Sequence, residues 1–261
     1  IYVGGTGKTP TTIELYNILR DLKIRVCIGK KFYPKHSDEI MLLQKKAELI
    51  SLENRKKIIS AGVVKNYDLL IFDDGLQDKS VSYNLEFVCF DNESWIGNGN
   101  LLPAGPLREK ISSIKKYDAI FLKNDNNQNI YIEDLIKKIN PNIKIFKTSY
   151  EISNIENFNL SDNYLIFSGI GNPKNFKKML IENKFHIVDE IIFPDHYNYK
   201  KKDINHIKLR ARKLNAKIIT TEKDFIKTSL IENDNIEVIK INLKLKNKDE
   251  LINFLKTKIH E

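Results

Sequence analysis

Val3-Gly4-Gly5-Thr6-Gly7-Lys8-Thr9-Pro10, near the start of the chain, is the stretch that decides the reading of its fold. Glycines let a backbone wrap phosphate oxygens, and the N–H groups at the head of the following helix point into the same space. Lys8 is placed to neutralise β- and γ-phosphates, and the Thr9 hydroxyl to ligate Mg²⁺. Pro10 suits the first turn of that helix, where its missing N–H is not needed. The expected nucleotide-binding residues are Gly4, Gly5, Thr6, Gly7, Lys8, Thr9 and Pro10. The strict pattern G-x-x-x-x-G-K-[ST] has glycine where this chain has Tyr2, so the match is a variant, and a glycine turn that only caps a helix is the bland alternative.

Outward from the loop, Leu15, Ile18, Leu19 and Leu22 share one helical face, and Ile24, Val26 and Ile28 then alternate as a strand. The run Asp68-Leu69-Leu70-Ile71-Phe72 reads as a central parallel strand buried on both faces. It ends in Asp73-Asp74-Gly75, from where a carboxylate can reach a Mg²⁺ held by the loop threonine; two acids after a strand also serve as a plain turn signal. A second helix is expected over Glu39 to Ser60, and further strands at Leu85 to Phe90, Asp118 to Leu122 and Ile143 to Lys147. A polar, Asn-rich stretch from about Tyr150 to Asn163 has no clear period. Beyond it come strand Tyr164 to Phe167, helix Pro173 to Asn183, strand Ile187 to Ile192, helix Lys201 to Leu214, strands Lys217 to Thr220 and Ile236 to Leu243, and helix Lys248 to Ile259.

The expected class is α/β: a P-loop NTPase-like, mainly parallel sheet flanked by helices over 1–150, a linker over 151–163, and a second, smaller α/β lobe over 164–261. The chain opens at Ile1 and not at Met, so it reads as a fragment that lacks the element leading into the glycine loop.

Composition narrows the class further. With 261 residues, 41% apolar and 30% charged, disordered and fibrous chains are excluded. No stretch approaches the ~18 consecutive apolar residues of a spanning helix, so any membrane contact is expected to be peripheral. Cys27 and Cys89 each sit in a β-like run, as reduced, buried thiols of a cytoplasmic protein would. The net charge of +9 invites a nucleic-acid reading, but most of it is lysine and the arginines are scattered. No nucleic-acid partner is expected; a basic surface favours phosphate-bearing substrates or an anionic membrane.

After Asp73-Asp74-Gly75-Leu76-Gln77 come Gly97-Asn98-Gly99-Asn100-Leu101-Leu102-Pro103-Ala104-Gly105-Pro106-Leu107-Arg108-Glu109, Phe167-Ser168-Gly169-Ile170-Gly171-Asn172-Pro173, Phe193-Pro194-Asp195-His196-Tyr197 and Thr220-Thr221-Glu222-Lys223-Asp224. This ordered series resembles the tetraacyldisaccharide 4′-kinase family, the lipid A 4′-kinases, from the first residues to about Lys227.

The resemblance implies transfer of the γ-phosphate of ATP, with Mg²⁺, to the 4′-hydroxyl of a tetraacylated glucosamine disaccharide 1-phosphate. It implies a monomer peripheral to the cytoplasmic face of the bacterial inner membrane. The family's loop falls on Gly4 to Thr9, its Asp-Asp pair on Asp73 and Asp74, and its Asp-Glu pair on Asp38 and Glu39. The catalytic positions implied are Lys8, Asp38 and His196; the metal positions are Thr9, Glu39, Asp73 and Asp74; the substrate positions are Arg108 and Asn98. A carboxylate can accept the hydroxyl proton while a neighbouring histidine orients it or relays the proton. His196 has a plain alternative as a structural loop residue, Arg108 as a surface ion pair with Glu109, and Thr221 to Asp224 as a helix cap.

Two departures from the family pattern stand out. Lys30 to Ser37 replaces an Arg-Gly-Tyr and a longer loop, and Asp78 stands where histidine is usual, adding a negative charge near phosphates. The family's amphipathic docking segment is expected to lie outside this sequence. Other readings are a P-loop kinase or ligase with a soluble substrate, and a non-enzymatic P-loop nucleic-acid-binding or partition module. A guanine-specific switch is disfavoured because no Asn-Lys-x-Asp follows the strands.

Overall fold

The computed structural model describes residues 1–2, 4–33, 37–123, 130–228, 231 and 234–260, without the side chains of 37, 130 and 260. Val3 of the glycine loop, and Pro34, Lys35 and His36 of the departing loop, lie outside the described residues. Along the chain run α1 (Lys8–Asp21), β1 (Val26–Lys31), α2 (Ser37–Lys46), β2 (Leu49–Leu52), α3 (Arg55–Val64), β3 (Leu69–Phe72), β4 (Phe87–Asp91), β5 (Ala119–Lys123), α4 (Ile130–Ile139) and β6 (Lys144–Ile152). There follow β7 (Asn163–Ser168), α5 (Pro173–Glu182), β8 (His186–Ile192), α6 (Lys201–Lys213), β9 (Lys217–Thr221), α7 (Glu222–Thr228), β10 (Ile236–Ile239), β11 (Ile241–Leu245) and α8 (Lys248–His260). Strands and helices alternate over much of the chain, while β3 to β5, β6 and β7, and β10 and β11 follow one another without an α-helix between, and the registered strand pairs are parallel.

The chain forms two compact units, and their limits differ from the expected 1–150 and 164–261. The first comprises Ile1–Lys31, Ala47–Glu151 and Leu243–Glu261; the second comprises Phe32–Lys46 and Ile152–Asn242. Residues 32–46 join the second unit because α2 packs on α7, and 243–261 join the first because β11 adds to the sheet of β6. Neither excursion has a composition signature.

In the first unit, α1 buries Leu15, Tyr16, Ile18 and Leu19 along the apolar face expected of it. A three-stranded sheet has the order β2-β1-β3, and a four-stranded sheet the order β11-β6-β5-β4. In β1, Val26 to Lys30 are buried, while β3 is half-buried throughout, which corrects its reading as a central strand. Its physical reason is that, among the described residues, β3 pairs only with β1, and Leu69 to Phe72 line a cavity of about 710 Å³ together with Ile1, Leu15 and Leu19, and Phe87 and Cys89 of β4. The core of the larger sheet gathers Ile1, Val88, Phe90, Ile120, Leu122 and Ile136.

The helix expected over Glu39 to Ser60 is two helices with a strand between them. Leu49 to Leu52 pair with Ile28 to Lys31, and Asn54 caps α3 by accepting from Lys57 N at 2.9 Å. The strand pairing outweighs a helical period that these residues also satisfy.

In the second unit, a four-stranded sheet has the order β10-β9-β7-β8, with Tyr164 to Phe167 of β7 fully buried. One face packs on α5 through Phe176 and Leu180, the other on α6 through Ile204 and Ile207. The single strand expected over Ile236 to Leu243 is two strands in different sheets. Lys240 separates them, with its N–H donating to Asn154 Oδ1 and its carbonyl accepting from Ser153 N, each at 2.9 Å.

Candidate active site

Two clusters of polar side chains form, one in each unit. In the first, Gly4, Gly5 and Gly7 have φ of 70°, 65° and 84°, the left-handed region that favours glycine. Gly7 is doubly constrained, since a Cβ there would lie 2.7 Å from Tyr150 Oη. It ends the loop as α1 begins, where Thr11 N donates to Gly7 O at 3.0 Å, with Pro10 in the first turn. That turn contains no acidic residue, so the positive end of the helix dipole is left for an anion. Thr6 is buried in the loop, and its Oγ1 has no hydrogen-bond partner among the described residues. An orphaned hydroxyl in a glycine cradle suits a ligand rich in acceptor oxygens.

Thr9 Oγ1 donates to Asp73 Oδ2 at 3.0 Å, and Thr12 Oγ1 to Asp73 Oδ1 at 3.4 Å. Lys30 Nζ lies 2.5 Å from Asp73 Oδ2, in a pair with both side chains buried. Hydroxyl and carboxylate oxygens are the donors that Mg²⁺ prefers, and such ions take one or two carboxylates plus phosphate oxygens. Accordingly, among the described residues no group of three His, Cys, Asp or Glu side chains forms a metal cage.

Asp74 faces other partners, with a left-handed φ of 54°. Lys8 Nζ lies 3.3 Å from its Oδ1 and donates to Tyr2 O, also at 3.3 Å, while Arg108 Nη1 donates to both Asp74 oxygens at 2.9 Å. Burial alone would raise the Asp74 carboxyl, but the Lys8 and Arg108 cations outweigh it and hold it below the usual carboxylate range. Arg108 is therefore paired with Asp74 and not with Glu109. Glu109 instead accepts from Gln77 and Tyr117. The Arg108 loop is tied to the glycine loop where Arg108 N donates to Ile1 O at 2.7 Å and Leu107 bridges Tyr2. Asn98, expected at a substrate, uses its amide to brace this loop, donating to Ala104 O and accepting from Asn100 N.

Asp78, the acid at the second departure, forms an ion pair with Arg55, whose Nη2 also donates to Asp74 O at 2.7 Å. Hydrogen bonds from Ser80, with the Arg55 charge behind them, bring the Asp78 carboxyl down to about 2. The added negative charge is thus matched inside the protein.

The second cluster lies on α2, α7 and the loop after β8. His196 Nδ1 lies 3.2 and 3.1 Å from the two oxygens of Asp38, which is buried in the first turn of α2. His196 has a left-handed φ of 58°, fixed by its N–H donating to Asp195 Oδ1 and Gly169 O. Such backbone strain concentrates at functional positions. Lys223 Nζ is 3.5 Å from His196 Nε2 and 3.1 Å from Asp195 Oδ1, and Lys227 Nζ is 3.1 Å from Asp38 Oδ2. Burial would raise the Asp38 carboxyl, but the Lys223 and Lys227 ammoniums outweigh it and hold it low. Glu39 belongs to this same cluster, 3.8 Å from His196 Nε2 and 3.9 Å from Lys223 Nζ. Thr221 and Asp224 form the expected cap of α7, with Thr221 Oγ1 donating to Asp224 Oδ2 at 2.8 Å and accepting from Asp224 N.

Sequence reasoning missed Lys30, Thr12, Arg55 and Lys227. A lysine inside the apolar strand β1 was a signal for Lys30, and the i, i+4 spacing from Lys223 was one for Lys227. Arg55 carried no local signal.

The tetraacyldisaccharide-1-P 4′-kinase family model, LpxK, matches residues 1–260. The chain belongs to this family. It is 46% identical to the tetraacyldisaccharide 4′-kinase of Pelagibacter ubique over 98% of this chain and 81% of that protein. It is 34% identical to the enzyme of the same name from Rickettsia akari, over 95% of this chain and 80% of that protein. The crystal structure of LpxK from Aquifex aeolicus in complex with ATP shares the fold at a TM-score of 0.71 and 23% identity, covering 99% of this chain and 86% of that one. The 4′-kinase family places the chain among enzymes, as a kinase of lipid A biosynthesis that phosphorylates a tetraacyldisaccharide 1-phosphate at the 4′ position.

Proposed function

We propose that the first cluster holds ATP and that the second, through Asp38 and His196, prepares the 4′-hydroxyl of the disaccharide. The observation that carries this reading is the pairing of Asp38 with His196 in a chain whose glycine loop sets Thr9 on Asp73. Backbone N–H groups of Gly4 to Lys8 cradle the triphosphate, and Thr6 Oγ1 adds a donor. Lys8, drawn from Asp74, neutralises charge on the β- and γ-phosphates. Mg²⁺ fits at Thr9 and Asp73, and when bound it neutralises phosphate charge. Arg108, on its braced loop, contacts the substrate's 1-phosphate or the transferring group.

At the acceptor, an imidazole that gives its Nδ1–H to Asp38 leaves Nε2 as the proton acceptor. The sugar oxygen forms a bond to Pγ, the bond from Pγ to the bridging oxygen breaks, ADP leaves with that electron pair, and the hydroxyl proton moves to Nε2. Asp38, kept ionised by its lysines, stabilises the resulting imidazolium. General-base help of this kind contributes about 10²–10⁴-fold, while positioning supplies most of the rest.

No helix among the described residues is long and apolar enough to cross a membrane. Peripheral contact with the inner-membrane surface by a monomer fits a lipid substrate and a chain of net charge +9. Leu101 and Leu102, exposed on the Arg108 loop, support a substrate with an apolar part. The test is transfer of label from [γ-³²P]ATP in detergent micelles containing the disaccharide 1-phosphate. Label on the glycolipid is expected; labelling of soluble sugars alone would overturn the reading.

A further inference from the structure

We infer that Lys227 is a positioning residue for this reaction, its buried ammonium fixing the Asp38 carboxylate on which His196 rests. The inference depends on the reading of Asp38 and His196 given above. Only 8% of the Lys227 side chain is exposed, and 5% of that of Asp38. Lys227 Nζ lies 3.1 Å from Asp38 Oδ2 and 3.9 Å from Asp224 Oδ1, without a directed hydrogen bond among the described residues. Asp224 is already satisfied by Gly169 N, Tyr199 Oη and Thr221 Oγ1, so the charge of Lys227 answers chiefly to Asp38.

A lysine so deeply buried carries a desolvation penalty that a methionine of similar length would avoid. Its charge is not needed to hold α7 against α2, because Lys46 at the other end of α2 already pairs with Glu222 at 2.7 Å. Lys223, one turn earlier on α7, is shared more widely, at 3.7 Å from Asp38, 3.9 Å from Glu39, 3.1 Å from Asp195 and 3.5 Å from His196 Nε2. Lys227 is the more buried of the two and the closer to Asp38. With the carboxylate pinned from behind by Lys227, its two oxygens remain turned to His196 Nδ1 and set the direction of Nε2.

The test compares kcat and the KM for ATP in Lys227→Met, Lys227→Arg, Asp38→Asn and the double variant Lys227→Met/Asp38→Asn, with Lys46→Met as the ion-pair control. Lys227→Met is expected to lower kcat by roughly 10–100-fold with the KM for ATP within about threefold, and Lys227→Arg to recover most of the loss. In the double variant, Lys227→Met should add less than about threefold to the loss from Asp38→Asn, since both act through one carboxylate. Lys46→Met should keep kcat within about twofold. Should Lys227→Met fail to fold, Lys227→Gln carries the same comparison. Full kcat in Lys227→Met, or losses that multiply in the double variant, would overturn the inference while leaving the Asp38 and His196 pair intact. Full kcat in Asp38→Asn alone would instead remove the pair itself.

Discussion

His196 and Asp74 are non-glycine residues held at φ of 58° and 54°, and each presents its side chain to groups of opposite or complementary charge. Left-handed backbone costs roughly 1–2 kcal/mol per residue, so surrounding hydrogen bonds must hold each in place. On the proposed role of His196 and Asp38 as one unit, each alanine variant should lower turnover by about 10²–10⁴-fold with ATP affinity little changed, and the double variant should be no worse than the poorer single one. Single-turnover rates beside equilibrium ATP binding check this, and multiplicative losses would argue against a coupled pair. Gly7 offers a second test, because a side chain there meets both a φ of 84° and the Tyr150 hydroxyl. Gly7→Ala should destabilise the protein by about 1–2 kcal/mol, with Tyr150→Phe restoring only the part due to contact. Denaturant unfolding of the three variants reads this directly, and an undiminished midpoint in Gly7→Ala would contradict the strained loop.

Among the elements, α1 and the loop before it were legible because glycine, lysine and helical period act locally. The strand β2 was not, since Leu49, Ile50 and Ile58 satisfy a helical period until a parallel partner is known, and only pairing with β1 decides the matter. Asp38 and His196 could be placed only by family likeness, because 158 positions separate them in the chain. Arg55 was silent for the same reason, its partners being tertiary, and the i, i+4 spacing from Lys223 pointed to Lys227 without revealing Asp38 as its partner. The Arg108 loop rests on Glu109, whose carboxyl burial would raise but which hydrogen bonds from Gln77, Lys116 and Tyr117 bring down to about 2. A folded value below the ordinary 4.5 means that this contribution is complete above pH 4.5 and fades as the pH falls toward 2. Glu109→Gln should therefore lose about 1–2 kcal/mol at neutral pH and approach the native chain on acidification. A gap in stability that stays constant between neutral and acid pH would contradict this.

At the scale of the whole molecule, the α/β class and the parallel sheets were readable from alternation, whereas the discontinuous limits of the two units were not, since 32–46 and 243–261 change unit through packing alone. Basic charge is likewise a property of the whole chain, and for a kinase with an anionic lipid substrate it favours encounter over specificity. Transfer should accordingly slow as salt rises and resist added random-sequence DNA at moderate ionic strength; strong inhibition by DNA would favour a nucleic-acid module. Every step proposed for the two clusters presupposes that the glycine loop at the head of α1 holds a nucleoside triphosphate. Titration calorimetry of ATP with Mg²⁺ into the folded protein measures this directly: saturable binding by the native chain, weakened at least about tenfold in Lys8→Ala at unchanged thermal stability, is the predicted result, and a folded native chain that releases no heat of ATP binding would contradict it.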